Sequence, residues 1–242
     1  MIRTKALSAL FLTTLVLAGC AAQPRMMMRP VAQSANPSAV IAAEIAFNRL
    51  AQEKGQWTAF RETAAREAVM FMPQPVLAQD WLKGRAEPAR AVVWQPHKVF
   101  MSCDGKTGVT TGASQWPDGS HGYFTTLWQW QDKGKLPPGA PASYMGEGEW
   151  KWAADHGDML TVPRPAPEFI ETRVASCKGA ANAPMAAPAE GARMQMILSR
   201  DQSINFTWTV MPDGSRTVEV RLWNGSAFDT VLTDRVMAPG AR

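Results

Sequence analysis

The sequence predicts an α+β fold in which helices near the start pack on a curved antiparallel sheet, extended by a C-terminal β-meander. Three observations predict it. Apolar residues recur at helical spacing soon after residue 38, and the period switches to two from Ala91 onward. Turn signals such as Asp104-Gly105 and Asn224-Gly225 then punctuate the alternating stretches.

The leading residues read as a removable targeting segment. Arg3 and Lys5 form a short positive start, and residues 6–18 are apolar apart from Ser8, Thr13 and Thr14. That run is shorter than the ~20 residues a membrane span needs. It ends in Leu17-Ala18-Gly19-Cys20, which resembles the lipobox of bacterial lipoproteins. The resemblance implies a signal peptide over 1–19, lipidation of Cys20, and a membrane partner engaged through acyl chains. Ala21, where an inner-membrane sorting signal would carry Asp, implies an outer-membrane address in the bacterial cell envelope, with the body facing the periplasm. An ordinary secretory signal with a cysteine at its boundary is the competing reading. Residues 20–38 hold Pro24, Pro30 and Pro37 without apolar periodicity, and read as a flexible tether. Met26-Met27-Met28 is not read as a metal site, because three consecutive side chains rarely converge on one ion.

A first domain is expected over 39–160. Val40, Ile41, Ile45, Phe47, Leu50 and Ala51 mark one helical face, with Ser38 as N-cap and Gly55 as the stop. A second helix is expected over 57–66. Ala68-Val69-Met70-Phe71-Met72 reads as a strand stopped by Pro73, and 76–83 as a further helical turn or two. Strands follow over 92–102, 107–116, 122–131 and 145–156. Residues 161–192, rich in Pro and Ala, read as an irregular connector. Over 193–236 the alternation is clearest: Ile204, Phe206, Trp208 and Val210 on one side of a strand, then Val218, Val220 and Leu222 on the next. Pro212-Asp213-Gly214 and Asn224-Gly225 supply the hairpin turns. Such a meander needs its apolar face covered. It is expected to cover or extend the first sheet, with an independent domain as the alternative.

The formal charge is +4, of which Arg3 and Lys5 belong to the leader, and no Lys/Arg run exists. Nucleic acid is therefore not an expected partner. Besides Cys20 there are Cys103 and Cys177. In an exported, oxidising setting these are expected to form a disulfide, closing a loop of about 75 residues worth roughly 4 kcal/mol. His97, His121 and His156 are too dispersed for metal-ligand spacing, and no phosphate loop or nucleophile elbow is present. Neither a metal nor a cofactor is expected.

Two stretches carry a likeness to a known family. One runs from Gly55-Gln56-Trp57-Thr58-Ala59-Phe60 to Ala68-Val69-Met70-Phe71-Met72-Pro73; the other is Gly148-Glu149-Trp150-Lys151-Trp152-Ala153-Ala154-Asp155-His156-Gly157-Asp158. With the order of elements, residues 38–158 resemble the nuclear transport factor 2-like superfamily, particularly its SnoaL-like branch. The resemblance implies a cone-shaped sheet wrapped around a long helix with an apolar cavity inside. Members include isomerases, dehydratases and cyclases as well as proteins that only bind, so the fold does not choose the activity.

Strand parity places Trp150, Trp152, Ala154 and His156 on one face of the last strand, and Glu149, Lys151, Ala153 and Asp155 on the other. The tryptophan face is expected to point inward. For the preceding strand, parity leaves open whether the side with Phe124 and Trp128 or the side with Tyr123 and Leu127 is inside. Candidate pocket residues are Trp81, Trp94, Tyr123, Trp128, Trp150, Trp152 and His156. The eight tryptophans of this domain either fill a thin core or line a cavity for an apolar small molecule. The expected function is binding of such a molecule, or of an envelope protein, without catalysis. The alternative is an enzyme using His156 or Asp155 as general base, with His97, Asp104 and Tyr123 behind them. A histidine bonded to a backbone carbonyl at a strand end is the competing reading of His156.

Overall fold

The computed structural model describes residues 35–140, 144–179, 181–182 and 187–240. The leader expected over 1–19, the lipidation expected at Cys20 and the expected tether as far as residue 34 lie outside the described residues. Among the described residues, no helix is long and apolar enough to cross a membrane.

Helix α1 (Pro37–Lys54) begins two residues earlier than expected. Asn36, not Ser38, is the N-cap, its side chain accepting a hydrogen bond from the Ser38 N–H. Pro37 explains the difference, since it has no N–H to satisfy and its fixed φ suits the first helical position. The helix buries Val40, Glu44, Phe47 and Ala51 along one stripe. Gly55, at φ +103, ends it and turns directly into α2 (Gln56–Thr63). The free N–H groups of α2 are capped from a distance: the Glu87 carboxylate accepts from Trp57 N at 2.8 Å and Thr58 N at 2.7 Å.

Then follow β1 (Ala64–Met72), β2 (Gln74–Leu77), α3 (Ala78–Leu82), β3 (Val93–Met101), β4 (Thr107–Gln115), β5 (His121–Asp132), β6 (Gly148–Leu160) and β7 (Glu171–Val174). They make a seven-stranded sheet in the order β2-β1-β6-β5-β4-β3-β7. The sheet is mixed rather than antiparallel, because β1 runs parallel to β6 and β7 parallel to β3. Neither pair is joined by a hairpin. The whole meander separates β1 from β6, and the chain crosses over before β7, so parallel pairing is open to both. The 161–192 connector is thus not wholly irregular. All four residues of β7 are exposed, so it lacks the alternation by which a strand is read.

The last strands are β8 (Arg193–Leu198), β9 (Ile204–Val210), β10 (Arg216–Trp223) and β11 (Phe228–Val236). They form a separate antiparallel sheet, ordered β11-β10-β9-β8, that packs against the first one. The result is three layers with two cores. Between helices and first sheet lie Val40, Phe47, Ala59, Leu82, Trp94, Val99, Trp128 and Trp152. Between the sheets, Phe100, Val109, Leu127 and Ala154 meet Ile204, Phe206, Val210, Val218 and Val220. Ile204, Phe206, Val218 and Val220 have no exposed surface, and burying each such side chain is worth about 1.5–3 kcal/mol.

Two turns also interlock across the layers. Ser203 Oγ accepts from Cys103 N at 2.8 Å, and Asp201 Oδ2 accepts from Asp104 N at 2.7 Å. The β3–β4 hairpin is thereby tied to the β8–β9 hairpin. Cys103 also joins Cys177 in a disulfide, with Cα atoms 5.2 Å apart, just beyond the end of β7. The bridge ties the crossover segment to the same hairpin end. Peptide mapping of unreduced protein should find Cys103 and Cys177 in one linked peptide. The Cys103→Ser/Cys177→Ser pair should cost about 2–4 kcal/mol in chemical denaturation; alkylation of both thiols without reductant would contradict the bridge.

Candidate functional site

Strand β6 carries an extra residue. Leu127 of β5 faces Ala154, while the next residue, Trp128, faces Trp152, so Ala153 is a β-bulge with no partner of its own. A bulge reverses the alternation beyond it. Trp152 lies in the helix-side core and Ala154 in the core between the sheets. Past the bulge, Asp155 returns to the helix side and His156 points toward the second sheet. The expectation that Trp150, Trp152, Ala154 and His156 share one face is therefore corrected: parity cannot see an inserted residue. A second bulge, at His97 in β3, does the same, so that Trp94 before it and Val99 after it share the helix-side core. The question left open for β5 is also answered. Phe124 and Trp128 face the helices, and Leu127 faces the second sheet.

On the helix side the first polar feature is Glu44 of α1, which is not among the apolar positions that mark the helical face in the sequence. It is fully buried. Its carboxylate accepts from the indole N–H of Trp94 at 2.6 Å, the indole N–H of Trp128 at 2.8 Å, and the Thr110 hydroxyl. Burial raises its pKa above the ordinary value, and the three donors work against that rise. Two of the candidate pocket tryptophans are thus anchored by the same carboxylate. A signal existed in the sequence, for Glu44 lies on the same stripe as Val40, Phe47 and Ala51.

Beyond these tryptophans lies a cavity of about 310 Å³. Phe47, Trp57, Phe60, Trp94, Trp116 and Phe124 line one part of it; Ser114, Tyr123, Asp155, His156, Asp158 and Arg216 line another, and Met70, Phe71, Met72 and Met159 complete the wall. The rings are set edge to face, with Phe47 4.8 Å from both Phe60 and Trp94. Met72 and Met159, the two exposed methionines of the lining, mark where the ends of β1 and β6 part. The hydroxyls of Ser114 and Tyr123 are buried without a hydrogen-bond partner. Burial, with the charges of Asp234 and Asp158, pushes the Tyr123 phenol well above its usual range, so it is a donor throughout physiological pH.

Of the seven candidate pocket residues, Trp94, Tyr123 and His156 line this cavity. Trp128 and Trp152 are packed into the core instead, 1% and 0% exposed. Trp152 donates its indole N–H to Thr63 Oγ1 at 3.1 Å, which leaves its ring against Phe60. Trp150 stacks edge-to-face on Trp130, and Trp81 lies between Trp57 and the Arg85 guanidinium. Bulk filled the core at these four positions. Trp57 and Trp116 line the cavity although they were not singled out.

Asp155 and His156, adjacent in sequence, have opposite surroundings. The Asp155 carboxylate accepts from the Thr126 hydroxyl at 2.7 Å. Burial raises its pKa to about 7; the Thr126 bond and the Arg216 charge oppose the rise, and the Glu44 charge adds to it. His156 has both ring nitrogens engaged. Arg216 Nε–H donates to Nδ1 at 3.3 Å, and Nε2–H donates to Asp234 Oδ2 at 3.1 Å. This arrangement suits only the neutral ring, because an imidazolium would turn a second N–H against Arg216. Burial accordingly lowers the His156 pKa, against the pull of Asp234. Burial also works to raise Asp234, but bonds from His156 and Thr125 and the Arg164 charge outweigh it and hold that carboxylate below its ordinary value. Arg216 further donates to Pro73 O and Gly157 O, and Arg164 to Thr111 Oγ1. The group welds β10 and β11 to β5 and β6. His156 is bonded to side chains here, not to the backbone carbonyl that its competing reading supposed.

The remaining titratable candidates stand elsewhere. His97 is buried at its bulge, its pKa lowered by burial and by Arg164, with Nε2 unpartnered. Asp104 belongs to the β3–β4 turn, where it accepts from Ser102 Oγ and Lys106 N. Among the described residues no group of three or more His, Cys, Asp or Glu side chains is arranged to hold a metal ion.

Asp155 has a folded pKa near 7 and an ordinary value of 3.8. Between those values the folded chain keeps a proton that the unfolded chain has released, so stability falls as pH rises from about 4 to about 7 and is flat above. Asp155→Asn retains an acceptor for Thr126 and removes that slope. Urea denaturation across pH should find the variant close to the parent at pH 4, and more stable by on the order of 2–4 kcal/mol at pH 8. An equal difference at both pH values would place Asp155 in a solvated setting.

No family model matches the chain, and no curated protein matches its sequence. A crystal structure from Novosphingobium aromaticivorans, provisionally described as an aromatic ring hydroxylase, is similar over 53% of this chain and 91% of that one, at 12% identity and a TM-score of 0.34. A likeness of that degree carries no argument about fold family or activity.

Proposed function

We propose that this chain is an envelope lipoprotein, anchored at the outer membrane through Cys20, whose folded unit binds a small, largely apolar molecule without transforming it. The observation that carries the binding part is the 310 Å³ cavity, in which the rings of Phe47, Trp57, Phe60, Trp94, Trp116 and Phe124 stand beside a polar part that includes Ser114, Tyr123 and Asp155. Ligand sites typically combine such a wall with a small number of orienting donors and acceptors, and Ser114, Tyr123 and Asp155 are placed to supply them here. In this reading α1, α2 and the first sheet form the cone of a nuclear transport factor 2-like, SnoaL-like unit. What supports it is the order of elements and the rings that α1, α2, β3 and β5 turn toward the cavity. The anchor rests on Leu17-Ala18-Gly19-Cys20. A small molecule is favoured over an envelope protein partner because the aromatic wall is a concave pocket lined by side chains from α1, α2, β3 and β5.

One observation favours a second reading. Asp155 faces the cavity with a pKa of about 7, where a carboxylate can take and return a proton at neutral pH. An isomerase, dehydratase or cyclase would use Asp155 and not His156, whose nitrogens are both committed.

Native mass spectrometry of the full chain, extracted in mild detergent from its own host, tests the binding reading. The expected result is a non-covalent excess on the order of a few hundred daltons that disappears when the protein is unfolded. Preparations carrying only the mass of the acylated chain would count against it.

A further inference from the structure

We infer that the cavity selects an organic cation: an ammonium-bearing molecule whose charge lies against Asp155 and whose substituents lie on the aromatic wall. The inference rests on the ligand-binding reading and names the chemical class of that ligand.

The charge balance around the cavity carries it. Asp234 pairs with the Arg164 guanidinium at 3.5 Å and accepts a further hydrogen bond from the neutral His156 ring. Arg216 gives three of its five N–H donors to His156, Pro73 and Gly157, and its guanidinium carbon lies 4.6 Å from the centre of the Phe71 ring. Asp155 has one hydrogen bond, from the neutral Thr126 hydroxyl, and is in none of the ion pairs found among the described residues. The charged groups that act on it are Glu44 from α1, a second carboxylate, and Arg216 from β10; Asp158 stands further along its own strand. A part-buried carboxylate that forms no ion pair is costly, and a ligand that brings a cation into contact with it reduces the cost.

The wall fits the same ligand. Phe47, Trp57, Phe60, Trp94, Trp116 and Phe124 share the cavity with Asp155. Ring faces carry negative potential and attract cations, indoles most strongly, and the attraction grows where water is excluded. A neutral apolar molecule would use the same rings but leave Asp155 uncompensated. An anion would meet the Asp155 carboxylate and the negative faces of the same rings.

The test compares benzyltrimethylammonium with neopentylbenzene, which has the same shape and no charge, binding to the full chain and followed by tryptophan fluorescence. The ammonium keeps its charge at every pH, so any pH dependence belongs to the protein. At pH 8.5 it should bind at least about tenfold more tightly than the hydrocarbon. Below pH 7 its affinity should fall, by up to about tenfold per pH unit as Asp155 takes up its proton. Asp155→Asn should abolish both the preference and the pH dependence. The comparison on the parent protein needs no variant, so a misfolded Asp155→Asn does not remove the test. Equal or tighter binding of neopentylbenzene at pH 8.5 overturns the cation inference and leaves the apolar-cavity reading standing. Binding of neither probe overturns both.

Discussion

The Ala153 bulge sets which side chains of β6 meet the helices and which meet the second sheet, and the two sides of the first sheet acquire different chemistry from it. Without the extra residue, His156 would follow Trp152 to the helix side of the sheet, and Asp155 would be pressed between two sheets. With it, the carboxylate stands among indole and phenyl rings, where its charge is expensive. The imidazole stands among Asp234, Arg216 and Thr125, where each ring nitrogen has a partner. Bulges re-aim side chains in this way wherever a strand must serve two layers.

Satisfaction of hydrogen bonds then separates structural polar groups from candidates for chemistry. Glu44 accepts three donors and acts as the anchor that holds Trp94, Trp128 and Thr110 against α1. The His156–Asp234–Arg216 group spans the layers, so that β10 and β11 are held by directional bonds as well as by the apolar contacts of Ile204, Phe206 and Val220. Such networks favour one arrangement of the layers over slipped alternatives when every member is paired. Ser114, Tyr123 and Asp155 are different. They face the cavity with donor or acceptor capacity to spare, which an orienting group for a bound molecule requires.

Much of the secondary structure was legible in the sequence. Period-two alternation and the turn at Pro212-Asp213-Gly214 mark β9 to the residue and β10 to within two residues of its start. The helical stripe of α1 was equally plain, though Pro37 moved its start. What escaped has a common physical reason: each case depends on a partner distant in sequence. Nothing local in Trp152-Ala153-Ala154 says that Ala153 lacks a partner on β5. The strand β7 exists because β3 offers an edge, not because Glu171 to Val174 has a pattern of its own. Glu44 is tolerated inside only because two indoles from β3 and β5 converge on it. The site was legible in composition, as a surplus of tryptophan, but not in detail. Four of the seven candidate pocket residues proved to be packing, while Trp57 and Trp116 were passed over.

The claim on which the rest turns is that Asp155 and His156 face opposite sides of the first sheet, one short of partners and one supplied with both. Side-chain NMR across pH 5 to 8, observing the Asp155 carboxyl carbon and the His156 ring nitrogens, addresses it directly. The account predicts a carboxyl titration centred near 7 and a single neutral imidazole tautomer, protonated at Nε2, over the upper part of the range. A carboxylate ionised throughout, beside an imidazole titrating freely near 6.5, would contradict it.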